Sequence, residues 1–286
     1  MWLLYALGAA FFAGITSILA KIGIKNTDST IATAIRTIIV LLFAWLMVLI
    51  VGSYSTISEI SSKSLLFLAL SGLATGGSWL CYFKALQLGD VNKVVPIDKS
   101  STVLTMILAI IFLGEEFTLL KGISMVVLLV GTLLLIERKD IRNNKNIKGS
   151  WLFFAILSAV FASLTAILGK VGISGVESNL GTALRTIVVL FMSWIMVFVV
   201  RKQGEIKSIN RIELLFILLS GLATGASWLF YYKALQLGEA SVVVPIDKLS
   251  IVITILFTVF ILKEKISKKS ILGLILIVAG TILLLI

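Results

Sequence analysis

Apolar residues run in blocks of about 20 along this chain, the length an α-helix needs to cross about 30 Å of hydrocarbon. Short polar clusters separate the blocks. Five fill the first half, near 2–21, 31–52, 64–88, 91–113 and 119–137. Five more fill the second, near 151–170, 180–201, 213–237, 240–262 and 268–286. Barrel strands would alternate apolar and polar positions over shorter runs, and these do not. The pattern predicts an all-α polytopic membrane protein with ten transmembrane helices. Met1-Trp2-Leu3-Leu4-Tyr5 lacks the basic start of a secretory signal and reads as the opening of the first span.

The second half repeats the first. Trp2 recurs as Trp151, Arg36 as Arg185, Pro96 as Pro245 and Gly131 as Gly280, always 149 positions later (185 − 36) and without a gap. Roughly 45 per cent of aligned positions are identical, far beyond what shared apolar composition produces. The expected division is a first five-helix repeat at 1–137, a basic linker at 138–150 and a second five-helix repeat at 151–286. Five is odd, so the second repeat must enter the membrane from the opposite side, giving two inverted repeats. Transporters commonly build their substrate site between such halves.

Charge orients the bundle. Hydrophobic residues make up 59% of the chain, charged residues 14%, and mean hydropathy is +1.13, so the solvent is lipid. The net charge is +11. Lys21/Lys170 and Lys84/Lys233 occur in both repeats and cancel between the two faces. Of the other cations outside the spans, fifteen fall on the linker's side, among them Lys139, Arg142, Arg201, Lys202, Lys207, Arg211 and Lys265. Lys63 and Lys121 alone fall opposite. The positive-inside rule places the linker in the cytoplasm and both termini outside, in a bacterial or archaeal plasma membrane. Such charge suits anionic lipid headgroups rather than nucleic acid. Cys81 stands alone, which excludes a disulfide framework.

Within the apolar blocks a few polar residues recur as pairs. The fourth span carries Val94-Val95-Pro96-Ile97-Asp98-Lys99, repeated as Val243-Val244-Pro245-Ile246-Asp247-Lys248. At helical spacing Asp98 shares a face with Ser101, and Asp247 with Ser250. A carboxylate inside a span is a functional candidate by default, against the alternative of a structural ion pair. Arg36 and Arg185 open the second spans. Each either grips an anionic substrate or neutralises the aspartate of its own repeat. In the third span Gly72/Gly76 and Gly221/Gly225 have the spacing of close helix packing. Thr75, Ser78 and Tyr82, with Thr224, Ser227 and Tyr231, form a polar stripe suited to a cavity wall. Lys21, Lys170 and Lys84 sit near helix ends, where snorkelling to headgroups is expected. There is no histidine, no metal-ligand cluster and no nucleophile–base arrangement, so neither metal, cofactor nor enzymatic activity is expected.

These residues together resemble the EamA-like branch of the drug/metabolite transporter superfamily. The matching features are Lys21/Lys170 closing the first helices, Ala34-Ile35-Arg36 and Ala183-Leu184-Arg185 in the second, and Tyr82-Phe83-Lys84-Ala85-Leu86 with Tyr231-Tyr232-Lys233-Ala234-Leu235. Gly114-Glu115 and Lys263-Glu264 follow the fourth. The resemblance implies a central cavity lined mainly by the third and fourth helices of each half, worked by alternating access. Familiar ten-helix members keep both termini in the cytoplasm, whereas the charges here place them outside. The glutamate that small multidrug exporters carry in their first helix is absent. The expected function is a secondary transporter for a small polar, anionic or zwitterionic metabolite, with a homodimer compatible with this reading. A proton-coupled drug or cation exporter and a non-transporting membrane scaffold are the alternatives.

Overall fold

Short polar side chains set the helix starts, and the two halves keep each capping position while changing the residue. The computed structural model describes residues 1–88, 91–135, 150–260 and 267–286. In the first half α1 spans Trp2–Gly23, α2 Ser29–Val51, α3 Ser62–Leu88, α4 Val91–Lys99, α5 Ser101–Leu113 and α6 Leu119–Leu134. In the second, α7 spans Ser150–Ile173, α8 Ser178–Val199, α9 Arg211–Leu237, α10 Ala240–Asp247, α11 Ser250–Phe260 and α12 Lys268–Leu283. Asp28 accepts from the Thr30 N–H at the start of α2 (2.8 Å), and its twin Glu177 from Asn179 N–H at the start of α8 (2.9 Å). Ser61 and Asn210 cap α3 and α9, and Thr118 and Ser267 cap α6 and α12. Each accepts from an amide that has no partner within its own helix.

The fourth spans depart from expectation. Instead of continuous helices over 91–113 and 240–262, each is interrupted just after its aspartate and lysine. Proline has no N–H for the helical ladder and crowds the carbonyl four residues back. Beyond Pro245 the chain tightens into three-residue bonds, from Lys248 N to Pro245 O (3.0 Å) and Leu249 N to Ile246 O (2.9 Å), before α11 resumes. The bond from Ser100 N to Ile97 O (3.2 Å) marks the same step between α4 and α5. Asp98/Lys99 and Asp247/Lys248 therefore stand at breaks rather than on one continuous helix face. Residues 138–149 of the expected linker, with Asp90 and Lys263-Glu264-Lys265, lie outside the described residues.

Polarity runs opposite to that of a water-soluble bundle. Phe11, Leu42, Val126, Phe191 and Ile275 face outward, while Ser71, Thr182, Thr186 and Thr281 are buried. The buried hydroxyls of Thr182, Thr186 and Thr281 donate to carbonyls one turn back, so they cost little inside an apolar bundle. Seven stretches among the described residues are long and apolar enough to cross a membrane: Trp2–Gly23, Ser29–Val51, Ser62–Leu88, Trp151–Ile173, Ser178–Val199, Arg211–Leu237 and Ala240–Phe257.

Helices pack mainly across the two halves, in reciprocal pairs: α1 with α9 and α3 with α7, then α2 with α8 and α6 with α12. Each pair is antiparallel. Gly8 meets Phe230 at one end of α1–α9 and Gly23 meets Ile217 at the other, just as Gly77 meets Phe161 and Gly172 meets Leu68 in α3–α7. Between the twin helices α2 and α8, Ile31 clusters with Val197 while Val48 clusters with Leu180. The glycine spacing of the third span is used for close approach. A Cβ on Gly72 would sit 2.7 Å from Val188 Cβ of α8, and one on Gly221 2.7 Å from Ile39 Cβ of α2.

Candidate functional site

The two helix breaks bring charge into the middle of the bundle. Half of the Lys99 side chain and about a third of the Lys248 side chain are exposed. Their ammonium groups are near enough for their charges to interact. Lys99 Nζ lies 3.8 Å from Asp98 Oδ2, and Lys248 Nζ 3.9 Å from Asp247 Oδ2. Tyr82 comes within range of the Asp98 charge and Tyr231 within range of Asp247. Ser101 and Ser250 begin the helices beyond the breaks, where their carbonyls accept from Thr105 and Thr254 one turn on.

The twin aspartates are not equivalent. Ser158 of α7 donates to Asp98 Oδ1 at 2.7 Å. The position equivalent to Ser158 in the first half is Ala9, which has no hydroxyl. Among the described residues no hydrogen bond reaches the Asp247 carboxylate. A sequence reading would find Ser158 only by asking where the repeats differ, since its neighbours on α7 carry no charge.

The arginines do not pair with the aspartates of their own repeats. Arg185 is 2% exposed and crosses to α3, where Nε donates to Ser71 Oγ (3.0 Å) and Nη2 to Thr75 Oγ1 (2.5 Å). Its guanidinium lies 5.0 Å from the Trp228 ring centre and 4.9 Å from that of Tyr232, a cation–π cage. Arg36 makes no hydrogen bond or ion pair among the described residues. The phenol that cages Arg185 is a phenyl, Phe83, in the first half.

The polar stripe of the third span lies in helix seams. Thr75 and Ser78 are buried against α7: Thr75 Oγ1 is 3.3 Å from Thr165 Oγ1, and Ser78 Oγ donates to Ser158 O at 3.1 Å. Thr224 and Ser227 are buried against α1, with Thr224 Oγ1 donating to Thr16 Oγ1 (3.3 Å) and Ser227 Oγ to Ala9 O (3.0 Å). Tyr82 and Tyr231 are part-exposed instead. Thr16 and Thr165 also donate to their own helix carbonyls.

Lys170 does not snorkel. Its Nζ donates to Leu235 O (3.1 Å) and to Gly238 O, holding the C-terminal carbonyls of α9, and lies 3.8 Å from Glu115 Oε1. Glu115 in turn accepts from the N–H groups of Ala240 (2.6 Å) and Ser241 (2.9 Å), the free amides at the start of α10. Lys121 Nζ closes the cluster on Glu239 Oε2 at 2.5 Å. A lysine and a glutamate from opposite halves so clamp the corner where α9 turns into α10.

The chain is similar to known membrane proteins along its whole length. The pattern of the EamA-like transporter family matches residues 1–137 and 149–286. A curated relative described as an uncharacterized transporter in the cobO 3' region of a Sinorhizobium species is 44% identical over 134 residues. The match covers 47% of this chain and 95% of that protein, which is therefore about half as long. The uncharacterized transporter YxxF of Bacillus subtilis is 26% identical over 144 residues, 50% of this chain and 45% of its own. An uncharacterized protein of Methanocaldococcus jannaschii is 35% identical over 104 residues, 33% of this chain and 75% of that one. A solved structure titled only "Crystal structure of protein" shares the fold, with a TM-score of 0.82 over 100% of this chain and 98% of that one, at 16% identity.

Proposed function

The chain belongs to the EamA-like transporter family, and on that footing we propose that it is a secondary transporter for a small polar, anionic or zwitterionic metabolite. The observation that carries the reading is the part-exposed pair of charges at each helix break, Lys99 3.8 Å from Asp98 and Lys248 3.9 Å from Asp247. Charges at membrane depth persist where they meet solute or water, and a break in a helix is where transporters place them. A cargo bearing an anionic group would meet the two ammonium groups, and any donor it carries would meet the carboxylates or the phenols of Tyr82 and Tyr231.

Alternating access would come from rocking of the halves 1–137 and 151–286 about their shared seam. The antiparallel, reciprocal packing of α2 on α8 and α6 on α12 supports ten spans in two inverted five-helix repeats joined by the linker 138–150. The bias of cations supports a plasma-membrane protein with the linker in the cytoplasm and both termini outside. A tag on Met1 and a reporter at Asn144 are then expected in opposite compartments. Accessibility labelling of intact cells reads this directly, and finding both on one side ends the inverted reading.

The function itself is tested in proteoliposomes. Uptake screened against a metabolite panel should identify a cargo, and Asp98→Asn with Asp247→Asn should lower its transport at least tenfold while the protein stays folded. Transport within twofold of the parent would remove the aspartates from the site. Lys99→Gln with Lys248→Gln should act on the same cargo chiefly by weakening its binding, seen as a loss of ligand-induced thermal shift.

A further inference from the structure

Two grooves occupy equivalent places in the two halves. One, of about 570 Å³, lies where α2 starts and α3 and α8 end, and is lined by Asp28, Leu80, Phe83, Lys84, Val199 and Lys202 among others. The other, of about 250 Å³, includes their twins Glu177, Leu229 and Lys233, with Tyr5 and Phe230. Only the first has the size of an ordinary ligand site. Its lining also has a cation that its twin lacks, because Lys202 stands where the first half has Ser53. Arg201, between the lining residues Val200 and Lys202, stands where the first half has Gly52.

The backbone around Arg201 is informative. Gly52 ends α2 at φ 77°, a left-handed turn that glycine adopts without steric cost. Arg201 makes the same turn after α8 at φ 56°, where its Cβ is crowded. Placing positive charge on the cytoplasmic face does not require it here, since Lys202, Lys207 and Arg211 already supply that. An arginine kept in a strained conformation beside a groove points to an anion that uses it.

Donors are to spare. Lys84 Nζ gives one N–H to Gln87 Oε1 at 3.4 Å and Lys202 gives one to Glu205, leaving two each. The Arg201 guanidinium has no protein partner among the described residues. The Asp28 carboxylate is engaged by the first amides of α2. The bond from Lys202 to Glu205, and then the Glu205 charge, hold the Lys202 ammonium above the usual lysine range, so it stays charged at neutral pH.

We propose that this groove binds the phosphate of an anionic phospholipid from the linker-side leaflet, its headgroup held by Lys84, Lys202 and Arg201 and its acyl chain lying along Leu80, Phe83 and Val199. The apolar wall distinguishes a lipid from a soluble phosphate, and the exposed Val199 continues it onto the lipid-facing surface. The assignment needs only the membrane-spanning fold, not the transport reading.

The twin supplies the variant. Arg201→Gly with Lys202→Ser installs the residues that already make this turn in the first half, so the fold is retained, and the thermal unfolding midpoint in detergent should be no lower than the parent's. Native mass spectrometry of the full chain titrated with phosphatidylglycerol or phosphatidylcholine measures binding. The parent should bind phosphatidylglycerol preferentially, and the double variant should bind it about tenfold more weakly. Phosphatidylcholine binding should be unaltered, and Lys233→Ala in the twin groove should change neither. Phosphatidylglycerol binding within twofold of the parent in the double variant overturns the site. So does an equal loss in Lys233→Ala, which would mean general surface charge, or displacement of the lipid by equimolar glycerol phosphate. Lys84→Gln, which leaves the turn untouched, should weaken the same binding severalfold; no change there is equally decisive against the site.

Discussion

Arg185→Ala is expected to lower the thermal unfolding midpoint in detergent by about 5–10 °C, while Arg36→Ala, the same change at the twin position, shifts it by less than about 2 °C. Arg185 gives up two charged hydrogen bonds to the opposite half and a cage of two rings. A charged hydrogen bond contributes about 1.5–3 kcal/mol in general, but bonds between membrane helices average nearer 0.6. With about 1–2 kcal/mol for the desolvated cation–π contacts, the loss comes to about 3 kcal/mol. The hydroxyls left behind are not orphaned, because Ser71 also donates to Thr165 O (2.7 Å) and Thr75 to Ser71 O (3.0 Å). Arg185→Lys should recover only part of the loss, since an ammonium cannot span both hydroxyls as the planar fork does. Equal shifts for the two alanine variants would mean that the arginines share one role and that the cage contributes nothing.

Gly131→Leu should be the more disruptive change. A Cβ at Gly131 would lie 2.9 Å from the backbone oxygen of Gly273, and one at Gly273 2.7 Å from that of Gly131. Backbone cannot rotate aside, so α6 and α12 must separate. In lipid nothing rewards their return, because tails are as apolar as the side chains and association rests on close packing. A destabilisation of about 3 kcal/mol or more follows, at or beyond the upper end for overpacked sites, with thermal unfolding about 10 °C lower or loss of the folded peak on size exclusion. Gly280→Leu at the twin position should cost less, because its nearest neighbour is the movable side chain of Leu128 at 3.0 Å. Gly204→Leu, with nothing within 4 Å, should be silent. A Gly131 variant as stable as the Gly204 one would show that α6 and α12 do not pack as described.

Much of the scaffold was legible because its causes are local. Runs of apolar residues declare spans whatever surrounds them. The repeat declares that one fold occurs twice. The glycine spacing at Gly72/Gly76 also read correctly, since close approach is nearly all that such spacing permits. The break in the fourth span is not legible even with Pro96 and Pro245 in view: a proline near a helix start is tolerable until the carbonyls behind it are located. For Lys170 the sequence predicts snorkelling, since it shows a lysine at a helix end but not the α9 carbonyls that wait there.

The sequence by itself determined the class of the protein, its lipid solvent, its duplication and the few residues able to hold charge at membrane depth, for these depend on composition and on spacing within one element. Tertiary structure decided how those residues divide their roles. Two identical aspartates became unlike because Ser158 meets one where Ala9 would meet the other, and two identical arginines because one half offers a phenol where the other offers Phe83. The physical reason is that each helix packs mainly on the opposite half, so the partner that settles a side chain's role lies far off in sequence, 60 residues for Asp98 and Ser158 and 110 for Arg185 and Thr75, and is reached only through space.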